Sequence, residues 1–160
     1  MKIRESIIYI LEIFLIIAIV VIAVLYGSYY KVNDVKNVDR AERTMQNLAE
    51  LRISIDRYYQ MSGSFPDLAR PCVNEDLTIL DYINAEGKKI SFAEIYGKKI
   101  LEMTEATKDI AASNKVYDLD NFNNGNFQGG WNYNFSGNTG EIHVNLAQDA
   151  FNQNIDWREE

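Results

Sequence analysis

Glu12 is the residue whose setting most constrains the chemistry of this chain. It is the single charge in Ile7–Leu25, IIYILEIFLIIAIVVIAVL, nineteen residues that are otherwise uncharged. A carboxylate in such a run is costly unless it is protonated, snorkels to an interface, or pairs with a cation from a neighbouring helix. The remaining reactive residues are sparse. His143, the one histidine, falls on the polar side of an alternating run, the place of a surface residue or a cross-strand pair. Cys72, the one cysteine, follows Pro71 with no second histidine in the chain to activate it as a nucleophile. Glu102 and Glu105 are expected on one face of a helix, as solvated charges. Phe122–Gly130, FNNGNFQGG, is glycine-rich but lacks the Lys-Ser/Thr of a phosphate-binding loop and precedes a strand. Asp118, Asp120 and Asn123 offer oxygen ligands on a turn, and calcium takes six to eight such ligands. The EF-hand register fails there because Phe122 stands where a ligand should be. Asp and Asn also simply make turns, so calcium remains open. The expectation is a protein without catalysis and without an obligatory cofactor.

The elements that must position these residues divide the chain between two solvents. At about 1.5 Å per residue, Ile7–Leu25 spans roughly 28 Å, close to the hydrocarbon thickness of a bilayer. It shows no polar stripe of the kind a core helix carries. Lys2 and Arg4 precede it, so the N-terminus is expected in the cytoplasm and the body outside it. The whole formal charge of −7 belongs to that body, and an acidic chain is not expected to bind nucleic acid. Beyond Gly27 and Ser28, apolar residues recur at Val32, Val35, Val38, Ala41, Met45, Leu48, Leu51, Ile55 and Tyr58, in steps of three and four. That is one helical stripe, with Lys36, Asp39, Arg40, Arg43, Glu50 and Arg57 opposite. Gly63 and Pro66 supply the stop.

Further on, Leu77–Ile83 suggests a short buried element and Glu86-Gly87-Lys88 a turn. Phe92 to Ala112 has helical spacing, weakened at Gly97. Trp131, Tyr133 and Phe135 alternate with Asn132 and Asn134, and Ile142, Val144 and Leu146 alternate with His143 and Asn145. Two such runs around SGNTG predict a hairpin. The fold class is therefore α+β: an N-terminal transmembrane helix continuous with a long amphipathic helix, packed on a small antiparallel sheet. The divisions are a short basic leader (1–6), the span (7–26) and an exported domain (27–160).

Three segments give the chain a resemblance to type IV pilin-like proteins, including the pseudopilins of type II secretion. The first is Glu12 followed by the apolar run IFLIIAIVVI with Ala18. The second is Leu51–Pro66, LRISIDRYYQMSGSFP, similar to the family's helix end with an aromatic pair, a glycine and a hydrophobic-proline step. The third is Gly129-Gly130-Trp131-Asn132-Tyr133 followed by Gly140–Asn145, similar to a hairpin in many members. The family's leader ends in glycine five residues ahead of the glutamate. Here that position is Ile7, and no glycine occurs before Gly27.

What the resemblance implies is a structural subunit of a secretion or pilus filament, with Glu12 setting register between helices. Its partners would be other pilin-like subunits, the inner-membrane assembly machinery and the membrane itself. A prepilin peptidase and N-methylation would act on processed members. Some pseudopilins bind calcium in a C-terminal loop, which points again to Asp118, Asp120 and Asn123. The implied location is the inner (cytoplasmic) membrane, single-pass, with the body periplasmic or extracellular. The alternative from a different class is a stand-alone, membrane-anchored, extracytoplasmic binding module.

Overall fold

The computed structural model describes the backbone of residues 2–160 and the side chains of residues 13–160. The first element is the helix α1, Lys2–Ser62, 61 residues without an interior proline. The chain forms two compact units, Met1–Lys36 and Asn37–Glu160.

The first unit is helical throughout its described backbone. Its large apolar side chains from Ile13 to Leu25 are each at least half exposed, from 50 % at Val21 to 67 % at Phe14. The most apolar eighteen-residue window of the helix has a mean hydropathy of 2.4, and the helix is long and apolar enough to cross a membrane.

In the second unit the remainder of α1 buries a single stripe: Ala41, Thr44, Leu48, Leu51, Ser54, Ile55 and Tyr58. The three/four spacing that predicted a helix is thus the spacing of its core face. Val32, Val35 and Val38, read as the start of the same stripe, remain exposed at 53 %, 69 % and 37 %. Gly63 ends the helix in the left-handed conformation (φ +75°), and its N–H donates to the Tyr59 carbonyl at 2.8 Å.

Beyond α1, a 3₁₀ turn at Leu77–Leu80 buries Leu77 and Leu80 but leaves Ile79 outside. Strands β1 (Tyr82–Ile83) and β2 (Lys89–Ile90) pair antiparallel around a turn at Glu86-Gly87-Lys88. Asn84 closes that turn by accepting from the N–H groups of Glu86 and Lys88. Helix α2 is only Phe92–Tyr96, capped by Ser91 and terminated by Gly97 at φ +77°. The helical spacing read out to Ala112 is therefore overturned. Residues 98–112 are largely irregular, and an isolated bridge ties Thr104 to Ser113. A left-handed glycine directly after the first turn stops the helix whatever apolar period follows it.

The main sheet has the order β3-β4-β5, with β3 Val116–Asp118, β4 Trp131–Tyr133 and β5 Ile142–Val144. The expected hairpin is present: Trp131 faces Val144, Asn132 faces His143, and Tyr133 faces Ile142. The sheet is mixed rather than purely antiparallel, because β3 runs parallel to β4. One face carries Trp131, Tyr133, Ile142 and Val144, all at most 1 % exposed. Trp131 Nε1 donates to the Glu102 carbonyl at 2.9 Å, and the Tyr133 hydroxyl donates to the Pro66 carbonyl at 3.0 Å. Burial pushes the Tyr133 phenol well above its usual value. Arg52 on α1 donates to the Ile142 carbonyl through Nε and Nη2, fixing β5 against the helix. The C-terminal segment adds Phe151 and Trp157, which meet edge to face and are buried.

Candidate functional site

Two places hold the residues singled out by type and spacing: the apolar part of α1, and the polar face of the β4–β5 hairpin with the loop that covers it. In the first, no charged residue occurs from Ile13 to Tyr30. Glu12 lies just before this stretch, and its side chain is outside the described residues. The side chains that follow it are turned outward all round the helix, so the unit's own residues offer them no core.

The second place differs from its sequence reading. His143 is 7 % exposed and Asn132 and Asn145 are fully buried, so the polar side of the hairpin is not a surface. The loop Asn121–Gly130 lies over it. The Phe122 ring lies over the His143 imidazole, tilted by 30° with centroids 4.1 Å apart. Asn145 Oδ1 accepts from the Phe127 N–H, and its Nδ2 donates to Asn126 Oδ1 and the Gly129 carbonyl. Gly125 is required at closest approach: a Cβ there would lie 2.7 Å from Asn132 Nδ2 and 2.9 Å from Asn145 Oδ1. The glycines of FNNGNFQGG thus let a loop settle onto a polar sheet face rather than cradle a phosphate. His143 Nε2 lies 3.0 Å from Glu141 Oε1, while His143 Nδ1 and both side-chain polar atoms of Asn132 have no protein hydrogen-bond partner. Alternation revealed the two faces of the strands, but only the loop decides that both are covered.

Asp118 closes the same hairpin from β3. Its carboxylate accepts from the N–H groups of Phe135 and Ser136, each at 3.0 Å, and from the Ser136 hydroxyl. Burial opposes ionisation, but these bonds from Ser136 and Phe135 outweigh it and hold the carboxyl below the usual aspartate value. Both oxygens are engaged in clasping the β4–β5 connection. Asp120 is exposed, and Asn123 is exposed on a 3₁₀ turn whose cap is the side chain of Asn121. Among the described residues, no three His, Cys, Asp or Glu side chains gather as a metal site would need.

Glu102 and Glu105 do not share a helix face, since α2 has ended before them. Glu102 lies 3.3 Å from Lys98 and Glu105 lies 3.4 Å from Arg43. Cys72 is exposed, at φ +67° in a turn. A surface depression of about 430 Å³ is lined by Thr78, Asp81, Lys89, Ser91 and Lys98, among others. Two of its three lysines are already matched: Lys89 by Asp81 and Glu94, Lys98 by Glu50 and Glu102.

Comparison of the chain with protein-family models, with curated proteins and with solved structures finds no match in any of the three. The long N-terminal apolar helix followed by a small sheet is compatible with a pilin-like fold. The second unit places a helix stripe against one sheet face and a loop over the other, so both faces are covered. The arrangement of the first supplies an apolar surface with no partner inside its own unit.

Proposed function

We propose that this chain is a non-enzymatic, pilin-like subunit, a pseudopilin or minor pilin, that assembles into a secretion or pilus filament through its N-terminal helix. One observation carries the reading: a single helical element bears an outward-facing apolar segment in one unit and the core stripe of a compact α+β domain in the other. Such an element can sit in a bilayer and then exchange lipid for neighbouring helices, with a folded body attached. The body would face outward from the inner membrane, consistent with Lys2 and Arg4 ahead of the span. Glu12 would act as a register charge, since a carboxylate in apolar surroundings gains most from a cation on an adjacent helix.

The test is assembly in the native membrane. With Cys72 replaced by Ser, cysteines introduced in pairs along Ile13–Leu25 should crosslink between copies of the full chain. Glu12→Leu should insert as well as the parent but lose most of that crosslinking. Undiminished crosslinking in Glu12→Leu would remove the register role, and absence of crosslinking in the parent itself would favour a stand-alone anchored module.

A further inference from the structure

Tyr26, Tyr29 and Tyr30 form the most unusual surface cluster in the first unit. They stand at i, i+3 and i+4, one face of the helix, and are 62 %, 65 % and 57 % exposed. The Tyr26 and Tyr30 rings meet edge to face with centroids 4.8 Å apart, and their hydroxyls lie 3.0 Å from each other. Tyr29 and Tyr30 also meet edge to face, at 6.2 Å.

Three exposed phenols have no good place in either bulk phase. In water their rings expose a contiguous aromatic surface; in hydrocarbon their hydroxyls lose most of their partners. A membrane–water interface accommodates the ring and the hydroxyl together. The flanking sequence locates that interface independently. Every residue from Ile13 to Leu25 is uncharged, and the first charge beyond Glu12 is Lys31, after which Asp34 and Lys36 follow. Ser28, between the tyrosines, donates its hydroxyl to the Val24 carbonyl at 2.8 Å. Its polar group is therefore satisfied by the helix itself and tolerates the edge of the hydrocarbon. Lys31 sits roughly 140° round the helix from Tyr26, at about 100° per residue, with a flexible stem long enough to reach lipid phosphate.

We propose that Tyr26, Tyr29 and Tyr30 are an interfacial belt that binds the phospholipid headgroup layer and sets how deep the helix sits. The rings occupy the boundary between acyl chains and headgroups, Lys31 reaches the phosphates, and the chain from Val32 onward is in water. This rests on the membrane-spanning reading, and the test separates the two.

The full chain carrying Cys72→Ser would receive single cysteines at Val20, Val24, Ser28, Lys31 and Val35. Each variant would be spin-labelled and reconstituted in phosphatidylcholine/phosphatidylglycerol vesicles. Collision rates with oxygen report lipid and those with a water-soluble nickel chelate report water. Oxygen should dominate at Val20 and nickel at Val35, with the crossover between Val24 and Lys31. Replacing all three tyrosines by Ala should move or broaden that crossover by about one helical turn, whereas replacing all three by Trp should leave it in place. An unmoved crossover in the triple-Ala chain would overturn the belt. So would low collision rates with both reagents at Ser28 and Lys31, which would mark a contact between protein copies. Nickel dominance already at Val20 would overturn the membrane span itself and the belt with it.

Discussion

The two units spend the same residue types on opposite ends. From Ile13 to Leu25 isoleucine, valine, leucine and phenylalanine point outward on every side of the helix, each at least half exposed. From Ala41 to Tyr58 comparable side chains gather on one stripe, where Ala41, Leu48, Leu51, Ile55 and Tyr58 are all under 6 % exposed, and Ile53 is left outside it at 54 %. In the second unit the partner is supplied by the chain: Trp131, Tyr133, Ile142 and Val144 on a sheet face, with Phe92, Phe151 and Trp157 beside them. In the first unit the partner must come from elsewhere. Apolar composition says that a side chain avoids water, and pattern says what it will meet instead. A stripe calls for a protein core; an all-round apolar surface calls for lipid or other helices.

Substitutions on either side should break the comparison in different ways. The largest expected effect is in the second unit. Trp131→Ala should lower unfolding stability by about 3–5 kcal/mol, because a fully buried indole is removed from a packed core. Circular dichroism of the full chain in detergent during denaturant titration reads this directly, and a loss under ~1 kcal/mol would show that the sheet face is not a core. In the first unit, Ile17→Arg should cost roughly 2.5–3.5 kcal/mol of membrane insertion while leaving the denaturant midpoint of the second unit in place. A glycosylation-mapping insertion assay and the same titration would separate the two readouts, and a shifted midpoint would mean that the units are not independent.

The polar face of the hairpin sharpens the contrast further. Gly125→Ala should destabilise by about 1–3 kcal/mol, since its Cβ would press on Asn132 and Asn145. The His143 and Phe122 ring resonances should shift with it if the loop lifts; unchanged resonances and stability would mean that the loop is not seated on the sheet. The smallest effect is at Asp118. Its carboxyl titrates below the ordinary value when folded, so its stabilisation is complete above the unfolded value of about 3.9 and is lost as pH falls through the folded one. Asp118→Asn should therefore cost about 1 kcal/mol near neutral pH. The gap from the parent should close as pH falls through the folded value, and a gap independent of pH would rule out the charged clasp.

What was legible in the sequence was whatever is encoded over a few neighbouring residues. The three/four period from Ala41 to Tyr58 announced a helix and its buried face, because side chains at those steps share one side whatever surrounds them. Gly63 and Pro66 announced the helix end, and the two-residue alternation announced the β4–β5 hairpin. The same local reasoning overran at Phe92–Ala112, where Gly97 in a left-handed conformation and the Thr104–Ser113 bridge mattered more than the apolar period. It also placed Glu102 and Glu105 on a helix that does not extend to them.

By itself the sequence determined the α+β class, the apolar segment, the core stripe of α1 and the existence of the hairpin, all consequences of periodicity and turn chemistry. Only the tertiary structure decided the rest. The parallel placement of β3 rests on three residues, too few to show a pattern, and on their alignment with a strand beginning thirteen residues further on. The burial of His143, Asn132 and Asn145 depends on a loop closing over strands that read as half-solvated. The use of Asp118 as a clasp depends on Ser136 arriving from the β4–β5 connection. These are contacts between residues distant in the chain, and a strand's alternation distinguishes its two faces without saying what will come to cover each of them.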